Sequence, residues 1–171
     1  MSASHVSPAQ DAHLSRPQTT VPESSRLQND TAKLGEPHEP KEESIRVFMQ
    51  IEHELKRSLV RLRHDCNKHE PEYFAAVEHL SDAQLTAFGP DDLTQVRVAV
   101  SAYGVHVFGK VRIPSLPDEG PAYIHFRAFT SGPGDQATLH SIHTEDREEP
   151  GGGHTFRAVF TKDDELEWFD T

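Results

Sequence analysis

From Glu42 to Cys66 the chain has neither Gly nor Pro, and Ile45, Phe48, Ile51, Leu55, Leu59, Leu62 and Cys66 recur at steps of three or four. Steps of that size return to one side of a helical turn, so they predict a single long amphipathic helix with one apolar stripe. Glu52, His53, Lys56, Arg57, Arg61 and Arg63 fall largely off the stripe and are assigned to solvent. Asn67 and Pro71 close the pattern, because proline lacks the donor that a helix interior needs. Beyond Pro71 the period changes to two. Val96, Val98 and Val100 alternate with Arg97, Ala99 and Ser101, which predicts a strand with one face buried. Tyr103-Gly104 separates it from a second strand over Val105 to Ile113, with glycine able to supply the positive φ of a tight turn. Pro114 to Pro121 reads as a loop, Ala122 to Phe129 as a third strand and Ser131-Gly132-Pro133-Gly134 as a turn. Thr138 to His143 makes a fourth strand and Thr155 to Phe160 a fifth. The expected fold class is α+β, one long helix packed on a curved antiparallel sheet of four to five strands.

Composition restricts this pattern to part of the chain. Hydrophobic residues make up 35% of the 171, below the globular average, and the deficit lies at the front. Met1 to Pro40 is rich in Ser, Pro, Gln, Thr and His with only isolated apolar residues, too few to offset the entropy of ordering. Residues 1–40 are therefore expected to form a disordered acidic leader, and residues 41–171 the domain. With 17 Lys+Arg against 28 Asp+Glu, the net charge of -11 opposes binding to a phosphate backbone, so no nucleic-acid partner is expected. No apolar run approaches a membrane span, and the N-terminus lacks a secretory pattern. Cys66 is the only cysteine, which rules out an internal disulfide and suits a reducing, cytoplasmic location. Cys66 continues the helical stripe and reads as a small buried hydrophobe.

Two groups of polar residues invite a chemical reading. His140, His143, Glu145, Asp146 and His154 crowd one region, but a spacing of three would turn His140 and His143 to different sides of a strand. They read as a solvated loop without a metal, and Glu145 to Glu149 as a solvated acidic face. Tyr103, His125, His140 and Asp135 could line a pocket in a cone-shaped enzyme or ligand binder. One helix is few to close such a pocket, and no nucleophile and base show a recognisable spacing. Neither catalysis nor a cofactor is expected.

Several stretches, in order, resemble the cystatin superfamily, specifically the stefins, small intracellular inhibitors of cysteine proteases. Tyr123-Ile124-His125-Phe126-Arg127-Ala128-Phe129, with Ser131 and Pro133, is similar to the stefin strand Y-I-H-L-K-V-F that runs into S-L-P. Lys162-Asp163-Asp164-Glu165-Leu166 with Phe169 resembles the closing K-D-D-E-L-x-x-F. Ile51 to Leu59 is similar to the first helix turns, and Phe74-Ala75-Ala76-Val77-Glu78 to the F-x-A-V-E that opens the strand after the helix. Leu34-Gly35 precedes the helix about as far as the family's N-terminal glycine does. The stefin hairpin Q-x-V-x-G is not reproduced. Gln84-Leu85-Thr86-Ala87-Phe88-Gly89 keeps the Gln and Gly with one residue too many, whereas Val100-Ser101-Ala102-Tyr103-Gly104 keeps only the glycine but suits the strand count better.

The resemblance implies a monomer that acts as a wedge in the cleft of a papain-like cysteine protease. Leu34 would fill an apolar subsite and Gly35 would let the backbone lie close. Ser101, Ala102, Tyr103 and Gly104 would form the central loop, and Gly132 and Pro133 the second. The altered hairpin equally fits a cystatin-fold interaction module without inhibitory activity.

Overall fold

The computed structural model describes residues 33–171, so residues 1–32 of the leader expected over residues 1–40 lie outside it. The predicted helix is α1, Glu42–His69. Its start is fixed by Ser44, whose hydroxyl accepts from the Lys41 N–H and donates to the Lys41 carbonyl, both at 2.9 Å. Glu42 and Glu43 in the first turn and Lys68 and His69 in the last oppose the helix dipole. Val47, Phe48, Ile51, Leu55 and Leu59 are buried, whereas Ile45 is only half-buried. Arg63, assigned to solvent by pattern, is also buried. Its guanidinium donates to the carbonyls of Val77 and Leu80 at 3.1 and 2.8 Å and bonds Asp82, which satisfies its charge in the interior.

The segment after α1 is helical rather than extended. Pro71–Val77 is a 3₁₀ helix begun by its own proline, and Phe74 and Val77, three apart, both point into the core, as a three-residue turn requires. The stretch matched to a strand opening therefore forms no strand. A short helix α2, Asp82–Leu85, follows, and a 3₁₀ turn over Pro90–Asp92 leads into the sheet.

Five strands form one antiparallel sheet in the order β1 (Lys33–Leu34), β2 (Leu93–Ser101), β3 (Gly104–Arg112), β4 (Tyr123–Thr130) and β5 (Thr138–Ile142). The edge strand β1 falls within the expected leader, residues 1–40, whose last part is therefore ordered against the sheet. Gly35 donates to the Val98 carbonyl at 2.8 Å, and His38 and Val96 exchange hydrogen bonds at 2.9 Å, so residues 34–38 run along β2. The expected fifth strand, Thr155 to Phe160, splits. Its first half is β7 (His154–Arg157), which pairs with β6 (Glu145–Glu148) in a separate hairpin. Its end makes a single bridge, Phe160 with Tyr123, at the margin of β4. The acidic run read as a solvated face is thus half of a hairpin, anchored by Tyr73 against Phe156 at 5.2 Å between ring centroids.

Between α1 and the sheet lies the main core, joined by Val96, Val107, Val111, Ile124, Phe126 and Ala128 of the inner strand faces. Gly109 lies opposite Phe126 in the register, and a Cβ there would come within 2.3 Å of the Phe126 ring. That ring also meets Phe48 at 5.7 Å. Gly109→Ala is therefore expected to cost about 1–3 kcal/mol by overpacking, read as a lower urea midpoint. An unchanged midpoint would show that the ring has room to move.

The outer sheet face carries a second, smaller cluster of Ala99, Phe108, Leu166 and Phe169, with Leu34 packed at its edge. It is closed by the chain end, residues 161–171, which forms no strand. Its carbonyls are bonded instead by three cations of the sheet. Lys110 Nζ donates to Lys162 and Asp164, each at 2.7 Å, Arg97 to Leu166 at 2.9 Å, and Arg127 to Phe169 at 2.9 Å. Lys110 is 3% exposed. Burial pushes its pKa down against the pull of Asp164 and Asp163.

Candidate functional site

The β2–β3 hairpin turns in two residues, since Ser101 pairs with Gly104. The Ser101 hydroxyl accepts from the Tyr103 N–H at 3.2 Å and donates to the Gly104 carbonyl at 3.3 Å, which ties the turn from inside. Gly104 has φ +151°, and a Cβ on it would lie 2.4 Å from the Thr130 carbonyl oxygen. Only glycine fits there. At the tip, Ala102 is exposed and Tyr103 is 85% exposed.

Val105, next to Gly104, pairs with Thr130, so the β4–β5 connection leaves the sheet at the same end as the hairpin. Asp135 N–H donates to the Gly132 carbonyl at 3.0 Å around Pro133 and Gly134, and Gly134 has φ +87°. Proline then glycine with positive φ is what a type II turn needs. The Thr130 hydroxyl donates to the Gly132 carbonyl at 3.0 Å, and Gln50 of α1 accepts from the Ala137 N–H at 2.8 Å. The loop is held on both sides.

The third segment is 34–38. Its antiparallel run on β2, His38 on Val96 and Gly35 on Val98, carries Leu34 toward the hairpin. Arg97 joins it to the chain end, with Nε donating to the Gly35 carbonyl at 2.7 Å and Nη1 to Leu166. Leu34 is half-buried against the outer cluster, so part of its side chain is committed to the protein itself. Gly35 is exposed. Of the eight residues of the expected wedge, Ser101 to Gly104, Gly132 and Pro133 thus lie at one end of the sheet, and Leu34 and Gly35, within the expected leader, lie on the edge strand alongside β2. Nothing in the sequence pattern marked Arg97 as the joint between that segment and the chain end. A positive residue beside Leu34-Gly35 becomes visible only through the register.

The same end is apolar where it is open. Val100 is 63% exposed beside Tyr103, and a hollow of about 270 Å³ opens between α1 and the loops, lined by Val47, Val98, Val105, Val107 and Pro133. The competing stretch, Gln84 to Gly89, is elsewhere. Gln84 belongs to α2, Leu85 and Phe88 are buried anchors, and the stretch precedes the opposite end of β2. It forms no hairpin.

The polar residues considered for a pocket do not meet. Tyr103 is at the hairpin tip, Asp135 in the β4–β5 loop, and His140 is exposed on β5 with its Nδ1 2.8 Å from the Ser141 hydroxyl. His125 is buried under the chain end, stacked on Phe160 at 4.3 Å, and its Nε2 has no hydrogen-bond partner. Burial, helped by the Lys110 charge, lowers its pKa to about 3. In the histidine-rich region His154 bonds Asp146 at 2.8 Å and His143 faces the Thr171 carbonyl at 2.9 Å. Among the described residues no three His, Cys, Asp or Glu side chains are grouped to hold a metal ion. Cys66 is half-buried beside the core, and burial followed by the Asp65 charge pushes its thiol pKa up, the reverse of a reactive cysteine.

Among the described residues no helix is long and apolar enough to cross a membrane. No family model matches the chain, and neither a curated protein nor a solved structure matches it.

Proposed function

We propose that this chain inhibits papain-like cysteine proteases, as the stefins it resembles do, by lodging one end of its sheet in the protease cleft. The observation that carries this reading is the meeting of the 101–104 and 132–133 turns at one end of the sheet, with residues 34–35 on the edge strand that runs toward them. Two of them are tight turns braced by Ser101 and Thr130, so they lose little freedom on docking. Val100 and Tyr103 supply an apolar centre that the fold itself does not use, the composition of an interface core. Such an inhibitor brings no catalytic group and needs no cofactor. It would act as a monomer, in the reducing cytoplasm that its single thiol suits.

The test is inhibition of papain by the purified full chain. Wild type is expected to inhibit, and Tyr103→Ser to weaken inhibition by about 30-fold or more, the effect of one hot-spot residue. Its melting temperature should not move, because the ring is exposed. Gly104→Ala is the wrong probe, since its Cβ would collide with the Thr130 backbone and alter the fold. Gly89→Ala, with nothing within 4 Å, is the matching neutral control. If papain stays fully active at micromolar protein, the inhibitor reading fails. The second reading, an interaction module without inhibitory activity, then stands. It is favoured by the half-buried Leu34 and the missing Q-x-V-x-G.

A further inference from the structure

A cleft of about 830 Å³ runs between the C-terminal half of α1 and residues 78–86, and the protease reading makes no use of it. It begins at His53, ~14 Å along the helix axis from Ser44, which lines the hollow at the hairpin end. One wall is cationic, with Lys56, Arg57 and Arg61 at steps that keep them on neighbouring rows of the helix. Val60 and Leu80 add an apolar strip. The walls are locked together by buried Arg63, which bonds the carbonyls of Val77 and Leu80 and pairs with Asp82.

The remaining charges differ in how far they are already used. Lys56 is paired with Glu52 at 3.0 Å and lies over the Phe88 ring. Arg57 and Arg61 are exposed, and among the described residues neither has a carboxylate partner. Two unpaired guanidinium groups on a protein of net charge -11, at the lip of a concave surface with an apolar strip, are complementary to carboxylates carried on an apolar body. We infer that this cleft docks an acidic peptide segment of a partner protein, with its carboxylates on Arg57 and Arg61 and an apolar side chain against Val60 and Leu80. A phosphate polymer fits less well. The apolar strip of Val60 and Leu80 has nothing to offer a phosphate, whereas Glu78 and Asp82, which also line the cleft, oppose either kind of anion alike.

The test uses the full chain and a fluorescein-labelled peptide built from Glu and Leu, followed by anisotropy at low salt. Wild type should bind, more weakly as salt is added, and Arg57→Glu with Arg61→Glu should weaken binding about tenfold or more, each tenfold being 1.4 kcal/mol. Both side chains are exposed, so circular dichroism and papain inhibition should be unchanged, which separates this inference from the hairpin reading. Should the reversed charges disturb the helix, Arg57→Gln with Arg61→Gln removes them without reversal and should still weaken binding. No binding by wild type, equal binding by the charge variants, or equal binding of a peptide with Lys in place of Glu would overturn the inference. Capture of a heparin fragment in preference to the peptide, lost in the same variants, would also overturn it in favour of a polyanion site.

Discussion

Leu166→Ala is expected to lower the unfolding free energy by about 2–5 kcal/mol, a large effect for a residue in an acidic run that forms no strand. The side chain is fully buried against Ala99, Phe108 and Phe169, and truncating it leaves a void in that cluster. The run containing it has no strand partner, so its position depends on that side chain, on Phe169 and on the bonds from Lys110, Arg97 and Arg127. Glu167→Ala, one residue on and exposed, should change stability by under about 0.5 kcal/mol. Urea denaturation of the two variants makes the comparison. A consequence for binding follows from Arg97, which holds the Leu166 and Gly35 carbonyls together. Loosening the chain end should also loosen residues 34–35, so Leu166→Ala should weaken papain inhibition while leaving the Tyr103 hairpin intact. If Leu166→Ala unfolds at the wild-type urea midpoint, the chain end is not part of the cooperative unit.

The long helix could be read from the sequence because its signal is local. A stretch without Gly or Pro and a stripe through Phe48, Ile51, Leu55 and Leu59 need no knowledge of what packs against them. The alternation of β2 and the glycine after Tyr103 are local in the same sense. Failures cluster where a distant carbonyl changes the environment of a charge. Arg63, assigned to solvent by its period, is buried because the Val77 carbonyl 14 positions on accepts its hydrogen bond, and Lys110 and Arg127 are buried with acceptors 54 and 42 positions away. The edge strand was hidden for a related reason. Residues 34–38 are held by main-chain bonds to β2, and main-chain bonds leave no trace in side-chain type. For the site, spacing alone could not choose between Gln84-Gly89 and Val100-Gly104. Only Val100-Gly104 forms a hairpin, and Leu85 and Phe88 of the other stretch are core anchors; Leu and Phe look the same in a sequence whether they face a core or solvent.

Acid should unfold this protein through His125. Its ring is 1% exposed, stacked on Phe160 and near His143, with Lys110 and Arg157 raising the local positive potential and Asp164 opposing them. The folded-state pKa is depressed from 6.5 to about 3, so the native protein holds this ring neutral. Above pH 6.5 the ring is neutral in both states and contributes no pH dependence. Below that, the unfolded chain takes up a proton that the folded chain refuses, and stability falls by up to about 1.4 kcal/mol per pH unit until pH approaches 3. By pH 4 the loss should reach ~3 kcal/mol. Asp164 acts in the same direction, since its carboxyl is held below the usual range by hydrogen bonds from Thr161 and Arg157, against burial, and it loses them on protonation. His125→Phe separates the two contributions. It keeps the stack on Phe160, removes the ring nitrogen Nε2 that has no partner, and should flatten the fall in urea midpoint between pH 6.5 and 4 while leaving the Asp164 part at lower pH. A His125→Phe protein whose midpoint falls as steeply as wild type over that interval would place the acid sensitivity elsewhere.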